Sequence, residues 1–230
     1  MRLSISLRRV ATVLVAVLVV LTVAGIVAEY SRYVLESESL LIDRFSLTEE
    51  KNLPTWWSSW LLATCSVVLG IIAATKTRSA GEFKLHWIAL AAIFCYMSID
   101  EFVEIHEWLS VVPGLGQLHG PLYYGWVIPA GIIVTAFALS YLRFLFHLPM
   151  TTRVKVAAAG ALFVGGALGV ELILGMWSDK HSELNFVWAM IGLVQEAMEM
   201  MGSSLFLYAL LEYLGRIAPE LRITARSGRD

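Results

Sequence analysis

The chain is poor in charge. Asp, Glu, Lys and Arg make up 16% of its 230 residues, against roughly 25% in soluble domains. Only two cysteines are present, Cys65 and Cys95. Both fall inside apolar runs, which excludes a disulfide framework and a CxxC metal site and leaves small buried hydrophobes. A net charge of −2, without a basic stripe interleaved with aromatics, gives no nucleic-acid signal. No internal repeat, Pro/Gly-rich linker or composition shift marks a second domain. What the chain does hold is apolar: 58% hydrophobic residues and a mean hydropathy of +0.71. These values describe an integral membrane protein, with the lipid bilayer as its first partner.

A spanning helix needs about 20 apolar residues. The expected fold is therefore an all-α polytopic membrane bundle over residues 1–230, with spans at 10–29, 55–75, 85–108, 122–145, 156–177 and 185–213. The apolar run after Arg8 and Arg9 is too long for a signal-peptide core and reads as a retained first span. Six spans put both termini on one side. Thirteen of the 17 basic residues fall in 1–9, 76–84, 143–155 and 215–230. The other four, Arg32, Arg44, Lys51 and Lys180, fall in the opposite connections. The positive-inside rule then makes both termini cytoplasmic and places 30–54, 109–121 and 178–184 outside. Ser79 with Glu82 reads as a capping box opening the third span. Pro54/Thr55 and Thr151/Thr152 suit helix starts. Tryptophans near span ends form an aromatic belt. Ala157, Ala161, Gly165 and Gly169 recur every fourth residue, a stripe for close helix packing in the bundle or for a homodimer or membrane-protein partner.

Acids inside the spans are the functional signal. The stretch "SIDEFVEIHE" ends the third span. On a continuous helix Asp100, Glu104 and Glu107 share a face, with Glu101 about 100° round. Glu171 on the fifth span and Glu196 on the sixth fall at a depth similar to Asp100, with Glu199 one turn from Glu196. No Lys or Arg lies inside any span, so the acids have no basic partner there. An ionised residue at a helix centre costs roughly 2.5–3.5 kcal/mol on insertion scales. Protonation, a wet cavity or a bound cation lowers that cost, and each makes the outer half of the bundle polar inside. The expectation is an outward-facing acidic cavity closed from the cytoplasm. Its candidate metal ligands are Asp100, Glu104, His106, Glu107, Glu171, Glu196 and Glu199. Carboxylates with imidazole suit Zn, Fe or Mn. There is no HExxH and no paired Glu-x-x-His. The outer stretches "TEEKNLPTWWSS" (Glu49, Glu50, Asn52) and "GLGQLHGPLYYG" (His119, Tyr123, Tyr124) have two readings, covers over the cavity mouth or plain helix lead-in loops. Glu212 and Arg216 read as a surface ion pair.

"NLPTWWSS", "IDEFVEIHE" and "QEAMEMMGSSLFLYALLEYL" resemble a group of uncharacterised bacterial six-span membrane proteins, from about residue 46 onward. The resemblance implies a bacterial cytoplasmic membrane and carries no activity. The acidic site is also similar to intramembrane zinc hydrolases of the alkaline ceramidase kind. Their histidine set on adjacent helices and their seventh span are missing here. Three functions fit these residues. One is a cation-binding protein, in its enzymatic form holding a metal through Asp100, Glu104, His106, Glu196 and Glu199 with a metal-bound water as nucleophile. The second is a non-catalytic subunit of a larger membrane complex. The third is a proton or cation transporter using the same acids as relay sites.

Overall fold

A computed structural model describes residues 6–37, 39–49, 51–78, 81–105, 118–181 and 183–219. Every element is helical. In order they are α1 (Leu7–Tyr33), α2 (Leu40–Phe45), α3 (Leu53–Arg78), α4 (Lys84–Val103), a 3-10 turn (Gly120–Leu122), α5 (Val127–His147), α6 (Met150–Val164), a π-helical turn (Gly165–Val170), α7 (Glu171–Ser178) and α8 (Phe186–Ile217). The segment Met150–Ser178 runs as one span through the π turn. It and the helices Leu7–Tyr33, Leu53–Thr77, Lys84–Val103 and Val127–His147 are long and apolar enough to cross a membrane. The chain is thus a multi-pass membrane protein. With 32 residues, α8 is the longest helix. Its run of Gln195, Glu196 and Glu199 dilutes its apolarity, and it does not join those five.

Position explains that polarity, because α8 is the centre of the bundle. It packs against α1, α3, α6, the π turn and α7. Away from lipid, its polar residues need not face hydrocarbon. The main core joins Leu61, Cys65, Leu69 and Ile72 of α3 to Phe206, Leu207 and Leu210 of α8. Those α3 positions recur at three- and four-residue steps, one stripe of a helix. Aromatic rings extend the core to α4: Trp87 stacks on Tyr213 at 5.3 Å and Phe94 on Phe206 at 4.7 Å. Hydroxyl bonds fasten α4 to α3. Ser59 Oγ donates to the Ser98 carbonyl at 2.7 Å, and Ser66 Oγ to the Ala91 carbonyl at 2.7 Å. Lipid gives helices no hydrophobic drive to associate, so such packing and bonding hold the bundle. Val10 and Leu14 join the same cluster as Tyr213, Leu214 and Ile217. Both ends of the described chain therefore lie at one end of the bundle, labelled inner after the expected topology. The connections 34–52, 118–126 and 179–185 lie at the other, the outer end.

Several expectations change. Helix α4 stops at Val103, not at 108. Glu104 is its C-cap in the left-handed region (φ 60°), its N–H donating to the Asp100 carbonyl at 2.7 Å. That geometry ends the helix and satisfies an orphan carbonyl. The capping-box expectation fails at the other end. The N-cap of α4 is Phe83 (φ 60°), Glu82 sits 3.4 Å from His147, and Ser79 lies outside the described residues. Three of the four stripe residues do not pack inward: Ala157, Ala161 and Gly169 are exposed, while a Cβ on Gly165 would stand 3.2 Å from Met198 of α8. Instead α6 and α8 meet through Ala159, Gly166 and Gly202. A Cβ on Gly202 would lie 2.7 Å from Phe163 N and 2.8 Å from the Ala159 carbonyl. Cys95 is exposed, while Cys65 is buried as expected. Trp87, expected in the belt, belongs to the core.

Candidate functional site

Glu171 opens α7 directly after the π turn and is 7% exposed. Trp126 Nε1 donates to its Oε1 at 3.2 Å. A π turn adds a residue to the helical repeat and re-aims the side chains after it, and such bulges recur at functional sites. The same turn meets α8 closely. A Cβ on Gly166 would stand 2.9 Å from Glu199 Cγ and 2.8 Å from the Gln195 carbonyl. Gly166 therefore sets Glu199 on the seam between this span and α8, while Glu171, five residues on, meets Trp126 ahead of α5. Glu196, half-buried, is three residues before Glu199 on α8.

On α4 the arrangement differs from the expected face. Asp100 accepts a long bond, 3.5 Å, from Tyr96, whose ring is half exposed. Glu101 follows Phe94 by seven residues and so continues the face that holds Trp87, Leu90 and Phe94. Glu104 leaves the helix and forms an ion pair with Lys51 at 2.7 Å. The expectation that these acids have no basic partner is corrected there: the lysine comes from the loop before α3, not from a span. His106 and Glu107 lie outside the described residues. Among the described residues, no three of His, Cys, Asp and Glu gather into a group able to hold a metal ion. A cavity of about 280 Å³ opens at the outer end beside Arg32, Ser37, Ser39, Leu40, Ile42 and Asp43. None of the predicted acids lines it.

Two outer polar networks surround these positions. In the first, Tyr124 donates to Glu183 Oε1 at 3.0 Å, bonds Ser178 Oγ at 2.9 Å and receives Trp188 Nε1 at 3.4 Å. Burial pushes the Tyr124 phenol up to about 12, and the Glu183 carboxylate adds to the rise. Nearby, His119 Nδ1 stands 3.1 Å from Asp179. That bond and the Gly120 N–H lower the Asp179 carboxyl. Gly175 lets the 118–124 segment lie close on α7, since a Cβ there would stand 3.2 Å from the Pro121 carbonyl.

The second network was not foreseen, and its centre is Glu29. This α1 residue is 0% exposed. Its Oε1 accepts bonds from Ser46 Oγ and from Thr48 Oγ1, the latter at 3.0 Å. Its Oε2 accepts no hydrogen bond among the described residues. One turn on, Arg32 binds Asp43 at 2.8 Å and Glu49 at 2.7 Å. Asn52 organises the loop: its Nδ2 donates to the Ser46 and Glu49 carbonyls, both at 2.7 Å, and its Oδ1 caps α3 by accepting from Thr55 N at 3.2 Å. This fits the lead-in reading of that stretch. The signal for Glu29 was the pair Glu29/Arg32 at a span's outer edge, a helical step of three.

Residues 11–214 match the domain of unknown function DUF8692. The chain belongs to that family. Comparison with curated proteins returned no match, and comparison with solved structures returned none either. At the inner end, Glu212 bonds both Lys155 and Arg216, the latter at 2.8 Å, so the expected pair exists and carries a second cation.

Proposed function

We propose that this member of the DUF8692 family is a six-span protein of a bacterial cytoplasmic membrane, with both termini cytoplasmic and α8 as its sixth span. In this reading the outer half of the bundle holds a divalent cation, Zn, Fe or Mn. Glu196 and Glu199, three residues apart on α8, are its candidate carboxylates, with Glu171 buried on the neighbouring span. The remaining expected ligands are Asp100 of α4 and His106 and Glu107, the last two outside the described residues. Glu104, engaged by Lys51, serves the α4 cap and leaves the ligand set. The observation that carries the reading is Glu171: a carboxylate buried in the outer half of a spanning segment, directly after a π turn whose Gly166 packs against Glu199 of α8. Carboxylates in lipid-buried bundles mark ion or substrate sites unless a basic partner offsets them. The test is metal analysis of the protein purified in mild detergent, with thermal unfolding of the wild type and Glu171→Gln with and without chelator. Chelator lowers the wild-type midpoint and matters much less in the variant. A metal-free preparation whose midpoint ignores added Zn²⁺, Mn²⁺ and chelator refutes the reading.

A second reading, a non-catalytic subunit of a larger membrane complex, draws on the outward turn of the small-residue stripe. Ala157, Ala161 and Gly169 present a flat face to the surroundings of the bundle, the kind of face that lets another helix approach closely. Cross-linking in native membranes separates the readings: a partner or second copy captured through Ala161→Cys supports the subunit.

A further inference from the structure

Between Ser46 and Glu49 the chain dips from the outer surface into the seam between α1 and α8. Two glycines make the notch. A Cβ on Gly25 of α1 would overlap Leu47 Cδ1, and a Cβ on Gly192 of α8 would stand 2.9 Å from Thr48 Cγ2. Leu47 continues into a small cluster with Leu21, Leu193 and Met200. Beneath it on α8, four residues inward and on nearly the same face, is Glu196. Glu29 closes the arrangement from the α1 side, accepting the Ser46 and Thr48 hydroxyls.

A permanent seal needs no carboxylate here. An aliphatic residue at position 29 would pack against the loop without leaving a buried oxygen unpartnered, as Glu29 Oε2 is. A carboxylate that grips two hydroxyls suits a contact that is made and broken. The loop is also self-contained. Asn52 binds the Ser46 and Glu49 carbonyls, and Ser46 Oγ accepts the N–H groups of Thr48 and Glu49, both at 3.2 Å. Lifting it breaks the Glu29 bonds and the Arg32–Glu49 ion pair and leaves the bonds within the loop in place.

We propose that Ser46–Glu49 is a strap that closes the α1–α8 seam over Glu29 and lifts to admit a cation toward the carboxylates of α8. This rests on the cation reading above. The geometry offers a direct lock. A Cβ on Gly192 falls 3.9 Å from Thr48 Cβ, inside the roughly 3.5–4.5 Å spacing of disulfide-bonded cysteines. The experiment uses Thr48→Cys/Gly192→Cys in a Cys65→Ala/Cys95→Ser background, with Glu29→Ala as a second variant. Hydrogen exchange is followed in peptides covering residues 46–52, and Zn²⁺ is the loading probe after chelator treatment. Oxidation cross-links the pair and slows exchange of the strap at least about tenfold relative to the same protein reduced, while Glu29→Ala speeds it by a similar factor. Zinc loading slows in the oxidised form and recovers on reduction. Equal strap exchange in the oxidised, reduced and Glu29→Ala forms overturns the strap, as does failure of the cysteines to cross-link. A strap that responds as expected in a protein that binds no zinc at equilibrium overturns the cation reading instead.

Discussion

Gly202→Ala tests the contact on which the bundle's centre depends. In a helix interior, alanine is favoured over glycine by about 1 kcal/mol through backbone entropy and propensity. At Gly202 the added methyl would stand 2.7 Å from Phe163 N, 2.8 Å from the Ala159 carbonyl and 3.0 Å from Phe163 Cβ. Two of those atoms are backbone, so no side-chain rotation relieves the overlap. The two helices must part by several tenths of an ångström, and the packing on both sides of the crossing loosens. Overpacking of this kind costs about 1–3 kcal/mol, so the expected net effect is a loss of about 0–2 kcal/mol. Gly160 is the control. It lies on α6 next to Ala159, is exposed, and a methyl added there would meet nothing within 4 Å. Gly160→Ala should be neutral or stabilising by up to about 1 kcal/mol. The assay is thermal or denaturant unfolding of both variants in one detergent. The difference between them cancels the propensity term and isolates the clash. Equal stability of Gly202→Ala and Gly160→Ala would show that α6 and α8 do not approach at Ala159 and would undo the placement of Gly166 against Glu199.

Asn52→Ala removes the α3 cap and the loop bonds to Ser46 and Glu49. It should cost about 1–3 kcal/mol, read as a lower unfolding midpoint, and should raise hydrogen exchange in 46–52; unchanged exchange there contradicts the cap. Glu104→Gly removes an ion pair whose lysine is mostly exposed, worth under about 1 kcal/mol, and relieves a left-handed φ of 60°. The midpoint should stay level or rise and the chelator response should persist; loss of that response returns Glu104 to the ligand set. Tyr124, with its phenol raised to about 12, binds its proton more tightly folded than unfolded. Its contribution is therefore complete below about pH 10 and is lost as pH climbs through about 12. A rise from about 10 to about 12 sets a ceiling of roughly 2.7 kcal/mol, and the side chain's partial exposure reduces this to about 1 kcal/mol. The wild-type midpoint should fall relative to Tyr124→Phe across that window, and parallel curves would refute it.

The sequence made the helices legible because apolar length is a property of composition, and lipid leaves few alternatives to a helix. Where each helix stops was less legible. Nothing in the hydropathy of "SIDEFVEIHE" separates a helix running to Trp108 from one capped at Glu104, since the stop depends on a left-handed backbone and on a lysine from another loop. The same limit moved most of the small-residue stripe outward. Four-residue spacing identifies a face, but the π turn at Gly165–Val170 shifts the helical phase within that span, so Gly165 and Gly166 meet α8 while Gly169 turns outward.

The acids divide by whether local rules could reach them. Glu171, Glu196 and Glu199 were found because a charge in an apolar run stands out against its neighbours. Glu29 was missed because it sits at a span's edge, where an acid is usually solvated, and its burial comes entirely from a loop that folds back over it. Ser46 and Thr48 carry no sequence signal of their own. They become ligands of a buried carboxylate only because Gly25 and Gly192, 167 residues apart in the numbering, open a notch for Leu47 and Thr48. Local pattern thus finds the charges in this fold, while long-range packing decides which of them are sealed. That difference separates Glu29, closed beneath its strap, from Glu196, one helical turn inward of the strap's contact with Gly192. An ion that reaches the α8 carboxylates from outside by the α1–α8 seam must first displace the bonds that Glu29 makes, which makes Glu29 the residue where binding and conformational change would be coupled.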